Sequence, residues 1–179
     1  MTTGYAAGPR TDAASIVRDG TVAGVIAGLA FAAFEMAMAA ILDGMEMTFM
    51  PLRMIGGIGL GTQAMDPATS LLVAGGAGLV IHMALAIAYG IGAVVVLSRI
   101  PALSSSTPRV LLSTSAAGFL LWIVNFYALA PVFGWTWFPN DTNPIVQIVA
   151  HTVFFGTVLG VALDRLHFPR AAKGGSASV

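Results

Sequence analysis

Four polar side chains lie inside long apolar stretches and are the residues most able to do chemistry: Glu35, His82, Asn125 and His151. A carboxyl and two imidazoles can pass protons. Glu35, His82 and His151 together offer the ligand types that hold a divalent metal. His82 and His151 alone offer the pair that holds a haem iron. In hydrocarbon an unpaired polar group costs several kcal/mol, so these groups should find one another or water. Glu35 with one histidine is the cheapest pairing, either as an ion pair or as a carboxylic acid bonded to imidazole. The structural alternative is glue: interhelical polar contacts in membranes average under about 1 kcal/mol, yet they fix helix register.

The elements that must position these residues follow from composition. Of the 179 residues 57% are hydrophobic and 9% are charged, against about 25% charged in soluble domains. A soluble chain this short could not bury so much apolar surface. Four stretches reach the ~20 residues that cross a bilayer: Val22–Leu42, Leu71–Leu97, Val110–Ala130 and Ile145–Leu163. The expected fold is all-α, a polytopic four-transmembrane-helix bundle forming a single domain over 1–179. The first outer loop, 43–70, is read as an interfacial or re-entrant segment. With a rise of about 1.5 Å per residue, each of the four polar residues lies roughly 8–16 Å inside the same membrane face. Gly20, Gly24 and Gly28 repeat every four residues with Glu35 on the same stripe, which points the carboxyl into the bundle. Gln147 and His151 share a face of the last helix, while Gly156 and Gly160 project almost oppositely, toward a second copy or another membrane subunit.

Three Xaa-Pro pairs, Asp66-Pro67, Thr107-Pro108 and Asn143-Pro144, read as an N-cap acceptor followed by proline in the first turn. Ala37-Met38-Ala39 looks like a cleavage site, but the apolar run is too long for a signal peptide and Glu35 interrupts it. Arg10, Arg18, Arg99, Arg109, Arg165, Arg170 and Lys173 fall on one side and Arg53 on the other. Tails 1–20 and 165–179 are therefore expected in the cytoplasm, in a multi-pass inner (plasma) membrane protein. The last residues, 171–179, read as a disordered tail. The zero net charge argues against a nucleic-acid partner. Absent cysteines exclude disulfides and thiolate metal sites.

The 43–70 segment is too apolar for a solvated loop, and a short helix from Pro51, broken by Gly56, Gly57, Gly59 and Gly61, is expected there. Met45, Met47, Met50 and Met54 could offer soft thioether ligands to Cu(I), although methionine is also ordinary filler. The carboxylate-bridged di-iron pattern is missing, since neither histidine has a glutamate three residues before it. His167 reads as a surface residue beyond the last helix. No nucleophile–base pair, phosphate loop or catalytic carboxylate pair is present, so an enzyme is the least favoured class.

Trp137-Phe138-Pro139-Asn140, followed by His151 and Val153-Phe154-Phe155, resembles the YagU-like family of small bacterial inner-membrane proteins. Phe34-Glu35-Met36, Pro51-Leu52-Arg53-Met54-Ile55-Gly56 and Trp122-x-x-Asn125-Phe126-Tyr127 extend the pattern. The resemblance implies a bacterial inner membrane and puts weight on Glu35 and His151, and it brings no mechanism. Three readings stay open: a proton-linked transport or accessory protein using the Glu/His/Asn/His cluster, a haem- or metal-binding protein, and a structural subunit of a larger membrane complex.

Overall fold

A computed structural model describes residues 12–168. Arg10, Arg170, Lys173 and the 171–179 tail lie outside the described residues. Four helices are long and apolar enough to cross a membrane: α1 (Ala13–Leu42), α3 (Leu71–Arg99), α4 (Thr107–Phe133) and α5 (Pro144–Leu166). Between the first two lies α2 (Met50–Leu60). No strand occurs among the described residues. The protein is an all-α, multi-pass integral membrane bundle.

The helices extend beyond their apolar cores because their ends are fixed by capping as well as hydropathy. α1 starts well before Val22. The Asp12 carboxylate accepts the Ser15 N–H at 2.9 Å and so satisfies one of the orphan donors of the first turn. Asn143 caps α5 as expected, accepting from Ile145 and Val146 at 3.0 and 3.3 Å. The other two Xaa-Pro pairs do not cap as expected. Asp66 closes a local turn onto the Ala68 N–H, and Ser70 is the N-cap of α3. Thr107 is already helical, with Ser106 as N-cap, and its hydroxyl donates to Asp164 at 2.8 Å.

α2 carries Pro51 in its first turn, where a missing N–H costs nothing. Gly56, Gly57 and Gly59 do not break it. Gly56 and Gly57 are buried inside the helix, Gly56 against the α3 backbone at Ala74 and Gly57 against the Trp137 indole. The helix ends at Gly61, whose φ of 73° suits a residue without Cβ. Arg53 donates to the carbonyls of Ala64, Asp66 and Thr69 at 3.0, 3.2 and 2.9 Å, fastening the return segment to α2.

Small residues set the helix contacts, as hydrocarbon offers little other driving force. Gly20, Gly24 and Gly90 let the α1 and α3 backbones touch. Gly118 does the same for α4 and α5, lying beneath the His151 carbonyl. α1 also packs on α5, where Phe34 stacks on Phe154 at a centroid distance of 4.0 Å. The neighbours therefore run α3–α1–α5–α4, and α3 and α4 stand apart. An apolar core including Val94, Val110, Leu159 and Leu163 fills the half that holds the start of α1 and the end of α5. In the other half the gap between α3 and α4 widens into a cavity beneath α2.

Candidate functional site

The cavity has a volume of about 670 Å³, and Glu35, His82, Asn125 and His151 all line it. They share it without forming one hydrogen-bonded cluster. Glu35 does not pair with a histidine: its Oε2 accepts from the Gln147 side-chain amide at 2.9 Å. Its Oε1 is buried with no hydrogen-bond partner, and the residue is 7% exposed. Ionised, Oε1 is an acceptor with nothing to accept from. Protonated on that oxygen, it is a donor with nothing to donate to. The cost of that isolation marks it as a candidate for binding.

Both imidazoles turn a nitrogen to a backbone carbonyl. His82 Nε2 lies 2.9 Å from the Gly28 oxygen on α1, and His151 Nδ1 lies 2.9 Å from the Gln147 oxygen one turn back. A carbonyl only accepts, so those nitrogens carry the protons. In the neutral rings this leaves His82 Nδ1 and His151 Nε2 as acceptors. Phe31 packs on both rings, at centroid distances of 5.2 and 4.8 Å. Asn125 accepts from the Tyr89 hydroxyl at 3.3 Å, bridging the gap between α4 and α3.

Asn125 and His151 each lie in a stretch of π-helix, Val124–Leu129 and Ala150–Thr157. In the first, the Ala130 N–H bonds back five residues to Asn125. Pro131 follows at once, and its ring excludes the ordinary bond to the Tyr127 carbonyl, so the turn widens ahead of it. In the second, the Val158 N–H reaches Val153, five residues back. A π turn holds more residues than an α turn, so it rotates less per residue. Gly156 and Gly160 therefore come round to the face that carries His151. They pack within the chain rather than projecting away from it, against Thr114, Ser115 and Leu111 of α4.

Among the described residues no three His, Asp or Glu side chains stand close enough together to hold a metal ion. Glu35, His82 and His151 thus line one space without converging as ligands. Arg53, the arginine assigned to the side opposite the other basic residues, is committed to three backbone carbonyls and is not free to meet a haem propionate. Of the loop methionines, Met47, Met50 and Met54 face the cavity together with Met36 and Met38.

No family model, curated protein or solved structure matches this chain.

Two groups escaped the sequence reading. Gln147 is the direct partner of Glu35. Its place one turn before His151 was visible, but an amide among apolar residues gives no sign of its partner. At the opposite end of the bundle, His167 is fully buried rather than at the surface. It bonds Asp19 at 3.0 Å through Nδ1 and Ser98 at 3.3 Å through Nε2. Asp19 also takes the Arg18 guanidinium at 2.8 Å. This network ties α1, α3 and the end of α5 together, and Asp19 lies in the early turns of α1 that hydropathy leaves outside the span.

Proposed function

We propose that the protein is a small carrier or transport accessory of the bacterial inner membrane. Its cavity receives a solute from the side of the 43–70 segment, and Glu35 takes up and releases protons there. The observation that carries this reading is Glu35, which lines a cavity of about 670 Å³ while its Oε1 is buried without a hydrogen-bond partner. A buried ionisable residue in a membrane span is by default a functional group. The apolar core fills the half opposite the cavity, which suits a site loaded from the cavity side. The bias of arginine and lysine supports a cytoplasmic location for the chain ends, and the YagU-like resemblance agrees with a bacterial inner membrane.

The test is an imposed pH gradient across vesicles loaded with a pH-sensitive dye. Wild-type protein is expected to relax the gradient faster than protein-free vesicles, and Glu35→Gln should remove the difference while the protein stays folded. Equal relaxation by wild type and Glu35→Gln would refute the proton-exchange role.

A further inference from the structure

We infer that the solute is a hydrophobic organic monocation, with its charge against Glu35 and its apolar body against the cavity wall. The inference rests on the reading of the cavity as the solute site and names the chemistry it selects. Every Asp, Glu, Lys or Arg that lines the cavity is acidic: Glu35 in its depth, and Asp43, Glu46 and Asp141 along its outer part. No lysine or arginine lines it, and an anion would meet no countercharge. A field of one sign in a low-dielectric recess concentrates ions of the other.

The wall selects among cations. It is built mainly from apolar side chains, among them Met36, Met38, Met47, Met50 and Met54. Thioethers on flexible stems adapt to ligands of varied shape. Phe31, Tyr89, Phe126, Trp135 and Phe138 add aromatic rings to the lining, and such faces attract organic cations. A hard inorganic cation needs six or more oxygen ligands gathered around it to replace its water, and among the described residues no three His, Asp or Glu side chains stand close enough together to hold one. A sugar or zwitterion would leave most of its polar groups against methionine and phenylalanine. A cation with a bulky apolar body has a weak hydration shell to lose, and its charge balances that of the ionised Glu35 carboxylate. When Glu35 holds a proton before binding, the cation takes the proton's place as counterion and one proton is released to solvent.

The experiment compares tetraphenylphosphonium with its isosteric anion, tetraphenylborate. Binding to the detergent-purified full chain is measured by calorimetry in two buffers of different ionisation enthalpy. Tetraphenylphosphonium should bind saturably at one per chain, at least tenfold more tightly than tetraphenylborate. Glu35→Gln should weaken it at least tenfold. Should Glu35→Gln fail to fold, Glu46→Gln combined with Asp141→Asn keeps the test, since it should flatten the salt dependence of tetraphenylphosphonium affinity. Equal affinity for the two ions, or tetraphenylphosphonium binding unchanged in both variants, would overturn the inference. Cation binding without proton release keeps the ligand class and rejects proton exchange. Glu35-dependent proton movement in vesicles with no cation binding does the opposite.

Discussion

At the residue scale, two kinds of buried histidine differ in what they hold. His167 bonds a carboxylate that is 4% exposed, so His167→Ala leaves Asp19 with Arg18 as its remaining side-chain partner among the described residues. Hydrogen bonds to charged groups contribute about 1.5–3 kcal/mol, and a loss near 2 kcal/mol is expected from unfolding titrations in mixed detergent and dodecyl sulfate. His82 donates only to a neutral carbonyl already inside a helix. His82→Ala should cost about 1 kcal/mol, in the range of interhelical polar contacts in membranes. If the two variants lose the same stability, the Asp19–His167 bond is not the stronger anchor. The prominence of Glu35, His82 and His151 was legible because ionisable types are rare in apolar runs. Their partners were not, because a side chain finds its partner by distance across helices, and Gln147 is 112 positions from Glu35.

At the scale of elements, the two π stretches decide which faces meet. Val110, Thr114, Gly118, Trp122, Phe126 and Ala130 are all buried at four-residue intervals along α4. In an ideal α-helix such a stripe drifts around the axis, since a turn holds 3.6 residues, and the wide turn at 124–129 draws it back. On α5 the wide turn brings Gly156 beneath α4, where a Cβ would come within 2.6 Å of the Thr114 carbonyl oxygen and 2.8 Å of the Ser115 Cα. Backbone cannot yield as a side-chain tip can. Gly156→Val should therefore cost about 2 kcal/mol or more, as overpacked contacts do, in the same unfolding titration. Gly76 has open space where its Cβ would go, so Gly76→Ala serves as the control and should leave the midpoint unchanged or raise it slightly. A midpoint equal to wild type for Gly156→Val would mean that α4 and α5 do not pack through this glycine.

At the scale of the whole molecule, the bundle is tight at one end and hollow at the other. The chain has no cysteine, so single cysteines report topology without background. Glu46→Cys, exposed at the cavity end, should react with a membrane-impermeant maleimide in intact cells. Ser105→Cys, exposed in the α3–α4 connection, should react only after permeabilisation. The reverse pattern would invert the proposed orientation and place the cavity mouth in the cytoplasm.

The sequence by itself determined the solvent, the number of spans and the polar residues within them. Each of these is a matter of local composition: twenty apolar residues in a row admit few other fates, and a glutamate among them is conspicuous wherever it points. Tertiary structure decided the rest. It moved Glu35 from a histidine to Gln147, turned Gly156 and Gly160 inward, buried His167 on Asp19, and gathered acids from α1, its following turn and the α4–α5 connection around one cavity. Those outcomes depend on helix phase and on which helices are neighbours. A single wide turn shifts the phase, and the neighbours are fixed by backbone contact at glycines far apart in the chain, so neither is written in any one stretch of residues.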